Sequence, residues 1–175
     1  VTTVIGISGH AFHGKTTVAA MIADILKGRR VVVRVGFADA LKEECRVLYR
    51  WDGLKNDEGR ALLQRVGLVR RHEDANYWIA RAFEKMTDPK TLYVVDDVRF
   101  KNEAEAIRAH GGEVWRVERY DPVTLMPFDN GLSVAAKAHV SETQLDRYIF
   151  DRYLWNDTKD GLHARLKETL RNDFD

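Results

Sequence analysis

The chain has 175 residues, 45% of them apolar and only three of them proline, which is enough for one globular domain with a real core. A net charge of +1 excludes a dedicated duplex-DNA binder, which needs a strong basic excess to displace counterions, so no nucleic-acid partner is expected. Cys45 stands alone, which excludes an internal disulfide; no stretch approaches the ~18–20 apolar residues that cross a bilayer, and no secretory leader is visible, so a cytoplasmic protein without a membrane partner is expected.

Val1 to Ser8 is a β-branched apolar run bounded by glycines and predicts a fully buried strand of a parallel sheet. The next eight residues, Gly9-His10-Ala11-Phe12-His13-Gly14-Lys15-Thr16, satisfy G-x-x-x-x-G-K-[ST] in full. Each part of that pattern has a physical task. The glycines let the backbone curl so that successive N–H groups and a helix N-terminus point at a phosphate. Lys15 adds a full charge across the β- and γ-phosphates, and the Thr16 hydroxyl suits a magnesium ion. Gly9, Ala11, Phe12, His13, Gly14, Lys15, Thr16 and Thr17 are therefore the expected ATP-binding residues. His10 and His13, three apart with no third partner, make no metal site.

From Thr16 to Lys27 apolar residues recur at helical spacing, and Gly28 supplies the stop. Val31 to Val35 predicts a second strand, Ala38 to Tyr49 a second helix, and Asp57 to Val66 and His72 to Lys85 two further helices. Basic residues crowd this region, either as solvated helix faces or as a pocket for an anionic substrate. Leu92 to Val95 predicts a third strand ending in Asp96 and Asp97, of which period-two geometry lets only one face a nucleotide. Asp97 is the expected carboxylate, holding magnesium through water.

Asn102 to His110 is helical and closes on Gly111-Gly112, Val114 to Val117 is a fourth strand, and Tyr148 to Trp155 contains a fifth. Lys159 to Leu170 is a last helix. Strands alternating with helices predict a three-layer α/β/α fold of the P-loop type, with a mostly parallel five-stranded sheet, in one domain spanning 1–175. The aperiodic stretch 120–140, with Pro122, Pro127 and Gly131, is expected to be a lid.

Neither Asp-x-x-Gly after the third strand with Asn-Lys-x-Asp, as in a GTPase switch, nor the Leu-Ser-Gly-Gly of a transporter ATPase is present. A small-molecule kinase is favoured over a nucleotide-dependent motor or switch subunit. In this setting several blocks resemble the phage-type deoxynucleoside monophosphate kinases, relatives of adenylate kinase. After the P-loop come Gly36-Phe37-Ala38-Asp39-Ala40-Leu41-Lys42, Arg60-Ala61-Leu62-Leu63-Gln64-Arg65-Val66-Gly67 and Tyr77-Trp78-Ile79. Val95 to Glu103, Val117-Glu118-Arg119, His139-Val140-Ser141-Glu142 and Asn156-Asp157 follow in order. Leu68-Val69-Arg70-Arg71 departs from the family where a threonine would follow the glycine.

The resemblance implies transfer of the γ-phosphoryl of ATP, with Mg²⁺, to a deoxynucleoside monophosphate, in the host cytoplasm for a phage-encoded chain, and it makes a homodimer plausible. It implies a helical acceptor-binding region over 37–90. The chemistry asks for positioning and charge rather than covalent help, so Lys15, Asp97, Arg99 and Arg119 are the expected catalytic residues. Lys42, Arg60, Arg70 and Arg99 are expected to grip the acceptor phosphate, and Gln64 to offer an amide to the base. Phe37 or Trp78 offers a stacking face or fills the core, and Glu103 belongs to the acceptor site or is a solvated helix residue.

Overall fold

A computed structural model describes residues 3–54 and 56–174; Val1 and Thr2, the start of the first predicted strand, lie outside the described residues. The chain divides into two compact units, one formed by Val1–Arg34 and Asp88–Asp175 and the other by Val35–Thr87.

The first unit is built on a five-stranded sheet. Its strands are β1 (Val4–Ser8), β2 (Val32–Val35), β3 (Leu92–Val98), β4 (Glu113–Arg119) and β5 (Arg152–Asn156), ordered β2-β3-β1-β4-β5. β1 is parallel to β3 and β4, and β4 is parallel to β5. All five residues of β1 are buried, as a central strand covered on both faces must be. One face carries α1 (Lys15–Ile25) and α8 (Lys159–Phe174). Val18, Met21 and Ile22 of α1 and Leu162, Leu166 and Leu170 of α8, at helical spacing, share a core with Ile5, Ile7, Val94, Trp115, Val117 and Leu154. The other face carries α5 (Lys101–Ala109), which approaches so closely that a Cβ on Gly6 would stand 2.5 Å from Ile107 Cδ1. This is the three-layer α/β/α arrangement expected.

Several boundaries differ from the sequence reading. β3 continues through Asp96 and Asp97 to Val98, because the ladder slips: Gly6 pairs with Val95 but Ser8 with Val98. Asp96 and Asp97 therefore stand together opposite Ile7, and the simple alternation that would have sent them to opposite faces is interrupted by a bulge. Within the predicted lid, Tyr120 bridges Pro127, the Asp121 carboxylate accepts from the Val123 and Thr124 amides, and α6 (Val134–Lys137) adds one helical turn. A second turn, α7 (Val140–Thr143), follows directly.

The second unit holds α2 (Phe37–Tyr49), α3 (Asp57–Glu73) and α4 (Tyr77–Phe83). Leu41 and Cys45 of α2, Val66 of α3 and Trp78 of α4 pack with Trp51 into a separate core. α3 starts under an Asn56 cap whose side chain accepts from the Gly59 N–H, and it runs seven residues past the predicted end at Val66. Gly67 is buried and serves close packing: a Cβ there would already lie 3.3 Å from Leu41 Cδ2. Asp74 ends the helix instead.

Ile22 is fully buried between α1 and the sheet. Ile22→Ala is expected to lower the unfolding free energy by about 2–5 kcal/mol, read as a lower urea midpoint at unchanged slope.

Candidate nucleotide-binding site

The loop between β1 and α1 closes over its own backbone. Gly14 has φ +100°, and a Cβ there would meet the Asn156 amide nitrogen at 2.6 Å; a Cβ on Gly9 would meet the Val117 carbonyl oxygen at 2.6 Å. Only glycine fits both places. Asn156 Nδ2 donates to the His13 carbonyl, so the end of β5 braces the loop. α1 begins without a side-chain cap and without an acidic residue in its first turn, leaving its first N–H groups and its positive end available to an anion. Phe12 holds φ +64° in the same loop, an uncommon conformation for a bulky residue, and its ring is exposed.

Lys15 Nζ donates to the Gly9 and His10 carbonyls at 2.6 and 2.9 Å. Burial, with the nearby Arg99 charge, lowers its pKa to about 8. A phosphate brought against Lys15 would reverse that penalty, which is the electrostatic drive for an anionic ligand here. His13 is buried in the loop, and its Nδ1 accepts from the Arg119 N–H. Burial, with the charges of His10, Arg116 and Lys15, lowers its pKa to about 4, so it is neutral at physiological pH.

Of the two acids at the end of β3, Asp96 is the buried one, and its charge acts on Lys15; Asp97 is half-buried beside it. Asp96 Oδ1 lies 2.8 Å from Arg34 Nη2 without an aligned hydrogen bond, so it is charge-paired but has no hydrogen-bond partner. The expectation that only one of the two acids faces the site rested on strict alternation, and the bulge removes that premise. A hydroxyl at Thr16 and a buried carboxylate oxygen with spare capacity form a hard-oxygen donor set that fits a magnesium ion retaining most of its waters.

Arg99, just beyond β3, is placed at the loop: it pairs through Nη1 with Glu142 Oε1, while Glu142 Oε2 accepts from the Ala11 N–H at 3.0 Å. Glu142 is largely buried, which alone would raise its pKa; the neighbouring His10, the hydrogen bond from the Ala11 amide and the Arg99 charge outweigh this and hold it at about 2. Arg116, buried in β4, pairs with Glu118 at 3.5 Å and Asp146 at 3.3 Å. Arg119 donates to the Phe12 carbonyl and lies with its guanidinium carbon 4.0 Å from the centre of the Phe128 ring, so it joins the loop to the predicted lid. Sequence reasoning singled out neither Glu142 nor Arg116 for the site. An arginine inside the apolar run Val114 to Val117 was the available signal for Arg116.

The residues expected at the acceptor divide by unit. In the sheet unit, Glu103 is buried and turns back on its own helix start, accepting from the Arg99 and Phe100 N–H groups. In the helical unit, Arg60 and Gln64 lie one turn apart on α3 and are exposed. Arg70 is turned to Glu44 and Glu73 and stacks on Tyr77. Lys42 Nζ lies 3.3 Å from the Asp39 carboxylate, which also accepts from the Gly36 N–H. Phe37 packs beside Phe83 and Trp78 donates to the Gly67 carbonyl; both rings are core residues, not exposed stacking faces.

Two shifted groups at the loop contribute to the acid response of stability. His13 has a folded pKa near 4 against an ordinary 6.5, so the unfolded chain binds its proton first and stability falls as pH drops from 6.5 to 4. Glu142, held near 2 against an ordinary 4.5, adds a second loss below pH 4.5. Urea midpoints measured from pH 7 to 4 are expected to decline in the wild type and to decline less in His13→Asn, which keeps an acceptor for the Arg119 amide. Equal slopes in the two proteins would refute the assignment of a neutral His13.

No family model matches the chain. Over 150 residues it is 29% identical to the "Putative deoxynucleotide monophosphate kinase" of Acanthamoeba polyphaga mimivirus, covering 66% of this chain and 73% of that protein. Over 99 residues it is 30% identical to the uncharacterized protein ORF77 of Ictalurid herpesvirus 1 (strain Auburn), covering 54% of this chain and 40% of that protein. Among solved structures, the Deinococcus radiodurans tunicamycin resistance protein superposes with a TM-score of 0.52 at 12% identity, covering 97% of this chain and 96% of that one. The phosphate loop, the β2-β3-β1-β4-β5 order and these likenesses together give the chain a three-layer α/β/α fold of the P-loop type, similar in sequence to the mimivirus protein of that name.

Proposed function

We propose that the protein transfers the γ-phosphoryl group of ATP to a deoxynucleoside monophosphate, giving ADP and the deoxynucleoside diphosphate. The observation that carries this reading is the gathering of Lys15 and Arg99 at an uncapped helix start, within range of each other's charge. Two cations held together there suit the charge that spreads over a transferring phosphoryl group. The name of the mimivirus relative supports the acceptor class.

In this reading, the loop amides and the start of α1 hold the β-phosphate, and Lys15 leaves the Gly9 and His10 carbonyls to meet the γ-phosphate. Thr16 and Asp96, with Asp97 alongside, would hold a magnesium ion, which supplies charge neutralisation across the β- and γ-phosphates. An acceptor phosphate oxygen attacks the γ-phosphorus as the bond to the β–γ bridging oxygen breaks, and Arg99 stabilises the equatorial oxygens. Arg60 and Gln64, exposed on α3, are the acceptor-binding candidates, with Lys42 and Arg70 requiring release from Asp39 and Glu44. Residues 120–140 act as the lid, with Arg119 at their root.

The direct test offers purified protein ATP and Mg²⁺ with each ribo- and deoxynucleoside monophosphate, and with shikimate, nucleosides and dephospho-coenzyme A as other acceptors. Deoxynucleoside diphosphate formation is expected, and Lys15→Ala should lower it by at least about 10²-fold with the fold preserved. Transfer to one of the other acceptors alone would replace the substrate, and ATP hydrolysis that requires DNA would replace the kinase reading altogether. Arg119→Ala is expected to lower turnover by roughly tenfold or more while the KM for ATP stays within about threefold, because its contact belongs to the closed state. An unchanged turnover would make Arg119 a surface residue.

A further inference from the structure

Glu142 joins the segment after residues 120–140 to the phosphate loop and to Arg99 at once. Its two oxygens are divided between two tasks. Oε2 accepts from the Ala11 N–H and lies 3.8 Å from His10 Nδ1, while Oε1 takes one nitrogen of the Arg99 guanidinium. The other ring nitrogen of His10 lies 3.2 Å from Asp146, one turn beyond Glu142, and Asp146 also pairs with the buried Arg116. Gln144, between them, accepts from the Lys101 N–H, which fixes the same segment to the start of α5. The segment is thus pinned at three points to the two loops that carry Lys15 and Arg99.

Two geometrical facts give this arrangement a purpose. The Glu142 side chain is only 9% exposed, whereas that of Arg99 is 36% exposed, so the cationic partner is the one that solvent reaches. A guanidinium carries five N–H donors in a rigid fork, and binding one of them on Nη1 leaves the rest of the fork directed elsewhere. Arg99 also stands close enough to Lys15 to lower its proton affinity, and two unneutralised cations at that distance repel. Glu142 offsets that repulsion from behind, without occupying the uncapped amides at the start of α1.

We propose that Glu142 is a positioning residue: it anchors Arg99 to the Ala11 amide so that the rest of the guanidinium fork is already aimed at the transferring phosphoryl group before the donor binds. The inference rests on the phosphotransfer reading and on Arg99 acting in it. Pre-setting the arginine removes a reorganisation that would otherwise accompany every turnover, so its loss falls on the chemical step and not on donor binding. A carboxylate that simply filled the place of a phosphate would do the reverse, competing with ATP and weakening its binding.

The test compares wild type, E142A and E142Q for kcat and for the KM of ATP and of the acceptor, then repeats the E142A comparison in an R99A background, read by single-turnover rates. R99K replaces R99A if its rate falls below detection. E142A is expected to lower kcat by about tenfold or more with both KM values within about threefold. E142Q, which keeps an acceptor oxygen for the Ala11 amide and for Arg99, should recover part of that loss. In the Arg99 variant the E142A change should have little further effect, since a residue acting only through Arg99 has nothing left to position. Equal losses in both backgrounds would show that Glu142 acts by holding the fold, and tighter ATP binding with undiminished turnover in E142A would show that it merely occupies the phosphate site; either result overturns the proposal. A wild-type protein that phosphorylates no acceptor would remove the phosphotransfer reading itself, and the inference with it. If E142A does not fold, E142Q and E142D carry the same comparison, and full activity in both would overturn the proposal.

Discussion

The rest of the structure is arranged around a helix N-terminus that carries no acidic cap of its own. α1 starts with no side-chain cap and no acidic residue in its first turn, directly after the glycine-bounded loop. Lys15, Arg99 and Arg116 add full positive charges close by. Such a concentration is tolerable in a folded protein only if carboxylates compensate it from positions that do not block the donors. Asp96 does so from β3 and Glu142 from the segment after residues 120–140, and both influence Lys15. The buried acids are thus the counterpart of the cradle's chemistry and cannot be understood apart from it.

Close approach is the second requirement. The loop can curl over the strand ends only because Gly9 and Gly14 carry no Cβ where the Val117 carbonyl and the Asn156 amide stand. The brace from Asn156 to the His13 carbonyl then ties β5 to the loop, and the Arg119 contacts with His13 and Phe12 tie β4 to it. A loop fixed by two neighbouring strands keeps its amides aimed without a ligand, and the electrostatic interaction with a phosphate then needs little reorganisation. His13 shows what that rigidity requires: a buried ring kept neutral, so that its nitrogen can accept from the backbone of β4.

The helical unit follows a different logic. Its core is made by the aromatic and aliphatic faces of α2, α3 and α4, and of its basic residues Arg70 is held by Glu44, while Arg60 is exposed on α3. Phe37 and Trp78 are absorbed by packing, because large aromatic rings bury more apolar area than any other side chain in so small a unit.

The amino-acid sequence by itself determined the layered α/β class, the strand–loop–helix setting of the phosphate loop and most helix and strand positions, since apolar periodicity and a spaced glycine–lysine–threonine pattern are local properties. Local reasoning did not reach what depends on neighbours in space. It ended β3 at Val95 and expected alternation to turn only one of Asp96 and Asp97 to the site, because the slip in the β1–β3 ladder exists only when the two strands pair. It ended the third helix at Val66, whereas α3 runs through the buried Gly67 to Glu73. Glu142 was visible only as a residue after a long loop; its place beside Ala11 comes from a contact 131 residues apart in sequence. The tertiary structure alone decided that charge pairing, because an ion pair across such a separation leaves no trace in local spacing and forms only once the sheet has brought its ends together.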